Sequence, residues 1–445
     1  MALEKMRGGQ PQAGALAVVV GAGRSGLAAS FLLRKKGARV RLLERNRAAV
    51  SDALAATIHR AGIEFLPGEH TPQLFAGAAL VVPSPGLALS RLLPMMGKYA
   101  RQPGMEIIAE MELAWRCLTD EPVLAVTGTS GKTTTASLAA CMLQTQGYSV
   151  FLGGNIGTPL SEYVLSGRKA DVLVVEASSF QLQVCSTFCP RVGVLLNITP
   201  NHLDYHKNMN EYIEAKFRLF RCQDEGDLAV LGSGLRKVAD HFRVRARRVY
   251  VRPEQRFPEV SLMGRHNLFN IEAAWQACRF FGVSEENAAR AVAAFKPLPH
   301  RLEKVADING VTYVNDSKCT TVSSLKVALE AFDRPLRLLC GGHFKGGDVA
   351  ALRPLVQRHA REVFLFGESR EVFEAAWGDA VPMRWFPALE PALRAAAAAA
   401  ERGDVVLMAP ATSSFDLYPN YMARGDDFRR VVQSLRVTEA PSTAA

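Results

Sequence analysis

An apolar segment, a glycine-containing loop and a helical segment follow one another in "VLAVTGTSGKTTTASLAACMLQTQG", residues 123–147. Apolar strands and helices also alternate before and after this segment, with "ALAVVVGAG" as an example of a strand before it and "EVFLFG" as an example after it. Parallel strands must be joined by crossover connections, which are usually helices. The alternation therefore predicts α/β domains with mostly parallel sheets.

The length of 445 residues allows two to four domains of ordinary size, and we predict three. Residues 1–110 are predicted to form a Rossmann-like domain, because they open with a strand–helix–strand unit. Residues 111–299 contain the glycine loop and are predicted to form a P-loop-type ATPase domain. Residues 300–445 are predicted to form a second Rossmann-like domain, in which the Ala-rich segment "PALRAAAAAAERG" is a helix that ends at Gly403.

The composition limits the class of partner. A net charge of +10 fits anionic small molecules and could also indicate nucleic acid. The densest basic stretch, residues 243–252, alternates like a strand with a solvated face, so we expect no nucleic-acid partner.

No apolar run approaches the ~20 residues that span a bilayer, and the first residues lack an apolar signal-peptide core. With eight cysteines and no C-x-x-C, a reduced cytoplasmic protein is expected.

The glycine pattern near the start admits two interpretations. Gly21, Gly23 and Gly26 form G-x-G-x-x-G between a strand and a helix, and Glu44 ends the next strand. This is the dinucleotide-binding pattern, so a dinucleotide-dependent oxidoreductase is one alternative. The pattern is weak alone, and the second glycine loop favours ATP chemistry.

The loop after residue 127 differs from the common phosphate loop in its spacing. Gly131, Lys132 and Thr133 match its end, but the upstream glycine is Gly128, three positions back rather than five. Loop N–H groups and a helix N-terminus favour phosphate, Lys132 can reach terminal phosphate oxygens, and Thr133 can bind magnesium. A surface turn and a non-catalytic ATP-binding module are the alternatives.

Three further residues are candidates for the same site. Glu176 ends the apolar strand "DVLVVE", where a carboxylate is well placed for magnesium. His202 follows another strand, although a lone histidine is more often structural. Lys216 borders the apolar stripe of its helix, and a snorkelling side chain is the default explanation there.

The motifs together resemble the Mur ligases, the ATP-dependent amide-forming enzymes that build the peptide of bacterial cell-wall precursors. The motifs, in family order, are "VTGTSGKTT", "GGNIGTPL", "VVEASSFQL", "NITPNHLDYH", "YIEAKF", "GRHNLFN", "LPHRLE", "NDSK" and "APATSSFD". The short G-[ST]-x-G-K-[ST] loop is the form typical of this family. Within it, "NDSKCTT" and "SSFD" resemble the members that add D-glutamate to UDP-N-acetylmuramoyl-L-alanine. Folylpolyglutamate synthetases are a nearer alternative, which a UDP-binding first domain disfavours.

The resemblance implies roles for the candidates. Lys132 contacts the ATP phosphates, Thr133 and Glu176 bind magnesium, and His202 belongs to a second metal site, so two Mg²⁺ ions are expected. Lys216 matches a lysine that carbon dioxide converts to a carbamate. The other residues implied to surround ATP are Gly128, Thr129, Ser130, Gly131, Thr134, Asn267, Asn270, Arg301 and Asp316.

The resemblance also implies where the two other substrates bind. The UDP-sugar is expected at Arg24, Ser25, Glu44, Arg45, Gly86 and Asn155. Glutamate is expected at Lys318, Thr320, Lys345, Ser414, Phe415 and Tyr421. The chain departs from the family pattern at Ser130, Cys319, Thr321 and Tyr421, and it lacks an aspartate before Lys345. A monomer is expected, and the preference for D- over L-glutamate is left open.

Overall fold

The structure is a computed structural model that describes residues 13–203, 205–260, 262 and 264–437. The chain divides into two compact units. One contains the residues up to Glu259 together with Phe269–Ala293, and the other contains Val260–Leu268 and the residues from Ala294 onward. In the described ranges, no helix is long and apolar enough to cross a membrane.

The first unit contains two parallel sheets, and the one nearer the N-terminus has the strand order β3-β2-β1-β4-β5. Its strands are β1 Leu16–Val20, β2 Arg39–Glu44, β3 Ile63–Pro67, β4 Ala78–Pro83 and β5 Glu106–Ile107. The helices of this segment are α1 Arg24–Lys35, α2 Asp52–Arg60 and α3 Leu89–Met96. The sheet and its helices form the predicted Rossmann-like arrangement.

The second sheet of this unit is also parallel, in the order β11-β10-β9-β6-β8-β7. Its strands are β6 Val123–Thr127, β7 Val150–Gly154, β8 Val172–Glu176, β9 Val192–Leu195, β10 Leu228–Gly232 and β11 Arg247–Val251. The helices along this part are α4 Glu110–Cys117, α5 Lys132–Gln146, α6 Leu160–Ser166, α7 Ser179–Gln183, α8 Met209–Phe217, α9 Arg236–His241, α10 Arg265–Cys278 and α11 Glu285–Ala294. Only residues 247–251 of the basic stretch 243–252 form a strand.

The second unit contains a mixed sheet in the order β12-β13-β17-β14-β15-β16, in which only the β12–β13 pair is antiparallel. Its strands are β12 Glu303–Ile308, β13 Val311–Asn315, β14 Leu336–Gly341, β15 Ala360–Phe366, β16 Met383–Phe386 and β17 Val405–Met408. Its helices are α12 Val322–Leu329, α13 Arg353–His359, α14 Arg370–Trp377, α15 Leu389–Ala399 and α16 Tyr421–Val437.

The helix predicted to end at Gly403 is shorter than expected. Helix α15 ends at Ala399, and Ala400 is already extended, with φ −78° and ψ 138°. Gly403 instead adopts φ 101° in the turn that leads into β17. This glycine serves the turn rather than the helix end, because a left-handed backbone conformation favours glycine.

The central strands are continuous apolar runs because helices cover both faces of a parallel sheet. All five residues of β6 and all five of β8 are buried. Polar side chains that follow the carboxyl ends of such strands gather at one edge, where α/β proteins bind ligands. The α/β fold class is as predicted, and the boundaries at 110 and 299 stay a prediction.

Candidate active site

The glycine loop joins the carboxyl end of β6 to the start of α5. Gly131 has a left-handed conformation, φ 83°, and forms the N-cap of α5. A Cβ atom there would lie 2.4 Å from Asn270 Oδ1. Glycine is therefore required both by the turn and by the close approach of this asparagine. The helix N-terminus leaves backbone N–H groups free of intrahelical partners, which suits an anion.

Asn197 holds the loop, and the sequence interpretation did not identify it. Its Oδ1 accepts hydrogen bonds from the backbone N–H groups of Thr129, at 3.1 Å, and Ser130, at 3.0 Å. Its Nδ2 donates to Ser130 O at 3.3 Å. Asn197 follows the carboxyl end of β9, the strand next to β6. This position after a predicted strand was the sequence signal that could have identified it.

Lys132 lies over the loop from the first turn of α5. Its Nζ donates to Gly128 O and Thr129 O, both at 3.0 Å. The ammonium group is thus at the loop itself, where a lysine serves as a compact positive charge for phosphate oxygens.

Lys216 approaches the same loop from α8 and is 1% exposed. Its Nζ donates to Gly128 O at 2.8 Å and lies 4.7 Å from the centre of the Tyr212 ring. Burial, assisted by the positive charge of Lys132, holds the pKa of this amine well below its usual value, while Glu176 acts in the opposite direction. The default interpretation of a snorkelling side chain is wrong, because this amine points into the protein.

Glu176 ends β8, is 2% exposed and faces the loop. One carboxylate oxygen accepts from Thr133 Oγ1 at 2.8 Å, and the other accepts from Asn155 Nδ2 at 2.7 Å. Asn155 therefore contacts Glu176 directly, whereas the sequence assigned it to the UDP-sugar. The structure brings the neighbouring residues Lys132 and Thr133 together with Glu176 and Lys216, which lie far from them in sequence.

The oxygen atoms of this cluster suit a magnesium ion. Mg²⁺ is usually held by one or two carboxylates, with substrate phosphates and water completing the octahedron. Across the described ranges, no three His, Cys, Asp or Glu side chains gather as a metal site. The pair of Glu176 and Thr133 beside a phosphate loop fits a cation whose remaining ligands come from the nucleotide, not an all-protein cage.

His202 lies on the loop after β9 with a left-handed backbone, φ 56°, and an exposed side chain. Its ring packs against Phe180 edge-on, with ring centres 4.7 Å apart. Its predicted role as a metal ligand stays a prediction.

The N-terminal residues predicted to bind UDP lie at or just after the carboxyl ends of β1, β2 and β4. Glu44 accepts hydrogen bonds from the N–H groups of Ala22, at 2.8 Å, and Asn46, at 2.9 Å, so it orders the G-x-G-x-x-G loop. Arg24 pairs with Glu162 on α6 at 2.8 Å and donates to Gly157 O. The other predicted contacts lie at this edge: Ser25 at the start of α1, Arg45 after β2, and exposed Gly86 after β4.

In the second unit, five of the predicted glutamate residues lie on three loops after β13, β14 and β17, which are adjacent in the sheet, and the sixth, Tyr421, begins α16. Arg424 on α16, missed by the sequence interpretation, is fully buried and donates to Ser317 O, Thr412 O and Ser413 O. Burial lowers the pKa of its guanidinium to about 10. Arg424 thereby joins the loop that carries Lys318 to the loop that carries Ser414.

The side chains on these loops differ in exposure. Lys318 Nζ lies 3.9 Å from the centre of the Tyr421 ring. Ser414 is 2% exposed, whereas Phe415 is 69% exposed. Lys345 is also exposed, and its loop is joined to Ser413 by an antiparallel bridge from His343. Thr320 is half-buried and lies just before α12. The glutamate assignment of the six residues stays a prediction.

Asp316 follows β13 and is 9% exposed. It accepts a hydrogen bond from Leu302 N at 3.2 Å, and burial raises the pKa of its carboxyl to about 7, against the opposing charge of Arg301. Asn267, near the start of α10, is also buried. The predicted contacts of Arg301, Asp316 and Asn267 with ATP are not tested by these positions.

Three family models match the chain. The Mur ligase middle domain matches residues 126–254, and the glutamate ligase domain of Mur ligases matches residues 300–412. An FAD binding domain matches residues 15–68, the segment of the G-x-G-x-x-G unit.

Curated relatives match over nearly the whole chain. A protein of Desulfovibrio desulfuricans, named UDP-N-acetylmuramoylalanine–D-glutamate ligase, is 67% identical over 98% of this chain and 100% of its own length. Proteins of the same name from Nitratidesulfovibrio vulgaris and Lawsonia intracellularis are 64% and 50% identical, covering 97% and 94% of this chain and 99% and 94% of their own lengths.

Solved structures share the fold at low sequence identity. The MurF ligase of Thermotoga maritima, solved with ADP, superposes with a TM-score of 0.61 at 17% identity, covering 90% of this chain and 96% of its own. A pseudomurein peptide ligase type C from Methanothermus fervidus gives 0.57 at 18% identity, covering 95% and 100%. The predicted three-part α/β architecture and the predicted ligase class are confirmed. The chain belongs to the Mur ligases, within the group whose curated members are named UDP-N-acetylmuramoylalanine–D-glutamate ligase.

Proposed function

We propose that this chain forms an amide bond between UDP-N-acetylmuramoyl-L-alanine and D-glutamate at the expense of ATP, as a step in making peptidoglycan precursors in the cytoplasm. The observation that carries this proposal is the cluster of Lys132, Thr133, Glu176 and Lys216 at one phosphate loop. The substrates follow from the name shared by relatives up to 67% identical.

The chemistry requires an activated carboxylate. An amine cannot displace an oxide from the alanine carboxylate, so the γ-phosphoryl group of ATP is first transferred to a carboxylate oxygen, and ADP leaves. Attack by the glutamate amine on the acyl phosphate then forms the C–N bond and expels phosphate. In phosphoryl transfer, the protein contributes mainly positioning and charge stabilisation. Lys132, held at the loop by Gly128 O and Thr129 O, supplies a positive charge for the γ-phosphate oxygens.

Glu176 and Thr133 would hold Mg²⁺, and Asn155 orients the Glu176 carboxylate. A bound magnesium ion neutralises charge on the phosphate oxygens during the transfer. Two ions fit the proposal if His202 and a modified Lys216 hold the second.

Lys216 is proposed to carry the modification. A neutral lysine nitrogen adds to the carbon of CO₂, forming an N–C bond and releasing a proton, which leaves a carbamate with one negative charge. Because burial and Lys132 lower the pKa of this amine, the neutral form that reacts is more accessible than in a solvated lysine. The carbamate would place a negatively charged oxygen ligand at the loop.

The remaining substrates are proposed to use the two other sheets. The edge with Glu44, Ser25, Arg45 and Gly86 would hold the UDP group, and Arg24 would exchange its partner Glu162 for the ligand. The loops joined by Arg424 would hold D-glutamate, with Lys318 available for a glutamate carboxylate. A monomer is sufficient for this scheme.

Phosphate release tests the function directly. The purified chain is incubated with ATP, Mg²⁺ and UDP-N-acetylmuramoyl-L-alanine, and phosphate is measured with D-glutamate, L-glutamate or neither. Release that requires both the UDP substrate and D-glutamate, with formation of the amide product by mass spectrometry, is expected. Equal release with L-glutamate would contradict the stereochemical part, and phosphate release without the UDP substrate would contradict the ligase proposal.

A further inference from the structure

A cleft of about 290 Å³ lies beside β11, away from the site described above. Four arginines line it: Arg218, Arg221, Arg243 and Arg245. Arg243 and Arg245 precede the amino end of β11, whereas the phosphate loop follows the carboxyl end of β6. Since the strands of this sheet are parallel, the cleft and the loop lie at opposite edges of it.

Three of the four arginines of this cleft have no direct ion-pair partner among the residues that the structure describes. Within the described ranges, Arg221, Arg243 and Arg245 form no ion pair and no side-chain hydrogen bond. Arg218 donates only to a carbonyl, Cys185 O, at 3.3 Å. Glu214 lines the cleft and pairs with none of the four, and Asp224 and Glu225 line an adjoining cavity that shares Arg245. A concave site with unpaired charges of one sign concentrates counter-ions.

Aromatic rings form one wall of the cleft. Phe217 and Phe242 stack with ring centres 4.4 Å apart and planes 7° from parallel. Phe220 packs against Phe217, with ring centres 5.9 Å apart. The apolar wall strengthens the interaction of an anion with the arginines, because low-dielectric surroundings screen charge less than water does. Phe217 and Phe220 are buried, whereas Phe242 is partly exposed, so Phe242 offers most of the surface for an apolar or aromatic part of a ligand.

The backbone at Arg243 is unusual for an arginine. Helix α9 ends just before it, and Arg243 adopts φ 49°. Its N–H donates to Asp240 O at 3.2 Å, and the N–H of Val244 donates to Ala239 O at 3.5 Å. This is the left-handed position after a helix end where glycine is usually found. The backbone conformation alone would favour glycine here, yet the position carries an arginine, whose side chain lines the cleft.

We propose that this cleft binds a small phosphate ester, with the phosphate held by Arg221, Arg243 and Arg245 and the organic part against the Phe217–Phe242 wall. One guanidinium group can donate two parallel hydrogen bonds to the oxygens of a phosphate, and several arginines can surround one such anion. The cleft is of small-molecule size, and the adjoining cavity that shares Val244 and Arg245 with it carries Asp224 and Glu225. Those carboxylates would repel a nucleic-acid backbone that extended past the cleft, which favours a compact ester.

The test uses phenyl phosphate as the probe and the full chain, with its phosphate loop filled by magnesium and a non-hydrolysable ATP analogue. Binding is measured by calorimetry. Arg221→Ala and Arg243→Gly should each weaken it at least about tenfold, the effect of losing a charged hydrogen bond. Arg243→Gly should not lower the melting temperature, because glycine favours this backbone conformation. Arg247→Ala, which removes an exposed arginine of β11 outside the cleft, should change affinity less than twofold.

Phenol and free inorganic phosphate separate the two parts of the ligand. Both should bind more weakly than phenyl phosphate, phenol because it lacks the charge and phosphate because it lacks the ring. Equal loss of affinity in Arg247→Ala would show general charge attraction and overturn the proposal. Unchanged binding in Arg221→Ala and Arg243→Gly would also overturn it, as would binding of a single-stranded oligonucleotide but not of phenyl phosphate.

Discussion

The phosphate loop and the loops of the third sheet both follow the carboxyl ends of neighbouring strands, but their side chains are fixed to different degrees. At the phosphate loop, Lys132, Glu176 and Lys216 each have hydrogen-bond partners within the cluster. On the third sheet, Arg424 fixes the backbone of two loops, while Lys345 and Phe415 extend into solvent. The comparison indicates that the side chains of the phosphate loop are preorganised, and we expect the exposed side chains of the third-sheet loops to become ordered when the proposed glutamate binds.

The largest expected effect comes from Lys132→Ala. Removing the charge at the loop should lower the rate of phosphate release at least about a hundredfold, as loss of a preorganised electrostatic contact does. The variant should stay folded, since the loop backbone is still held by Asn197. Turnover and the melting temperature are compared with those of Lys237→Ala, an exposed lysine of α9. A near-normal rate in a folded Lys132→Ala protein would remove the loop lysine from the mechanism.

Glu176→Gln should have the next largest effect. The amide keeps the shape and can still interact with Thr133 and Asn155, but it lacks the charge that magnesium requires. The rate should fall about a hundredfold, since metal-ion charge stabilisation contributes several kcal/mol. More Mg²⁺ should restore part of it at most. Magnesium titrations of both proteins give the comparison, and an unchanged rate with an unchanged magnesium requirement would refute the assignment.

On the third sheet, Lys318→Ala should act mainly on glutamate binding. The KM for glutamate should rise about tenfold, the effect of losing one hydrogen bond to a charged group. The KM for ATP should change little. Lys326→Ala, an exposed lysine on α12, is the matched control. A loss confined to kcat, with both KM values unchanged, would place Lys318 among the preorganised residues and weaken the contrast between the two regions.

The smallest effect concerns stability and pH at Asp316. Its folded-state pKa of about 7 lies above the ordinary value of 3.8, so the protonated carboxyl is the form that the fold favours. Its contribution to stability is therefore complete below pH 3.8 and is lost as the pH rises through 7. Relative to the wild type, Asp316→Asn should gain stability between pH 5 and pH 8. Melting temperatures at both values test this, and a pH-independent difference would contradict the buried carboxyl.

Strand and helix alternation was sufficient to predict the α/β class, because apolar runs and glycine-containing turns are local signals. The loop lysine was predictable for the same reason. Lys216 was identified only through the family resemblance, since its helix periodicity shows only a lysine beside an apolar stripe. Its buried amine donates a hydrogen bond to Gly128 O, which lies 88 positions away in sequence. Asn197 and Arg424 were missed for a related reason: each fixes a loop that only the folded sheet brings near.

The central claim is that Lys216 acts at the phosphate loop as a carbamate, whose negatively charged oxygens take the place of a carboxylate. Lys216→Ala removes it and leaves a space, whereas Lys216→Met removes it and fills that space. The deciding measurement is the rate of phosphate release by both variants, with formate, acetate or chloride at equal ionic strength. The account predicts nearly inactive variants, partial rescue of Lys216→Ala by formate or acetate, and no rescue of Lys216→Met, because a diffusible carboxylate can occupy only the open space. Full activity of Lys216→Ala, or rescue by chloride as effective as that by acetate, would contradict it.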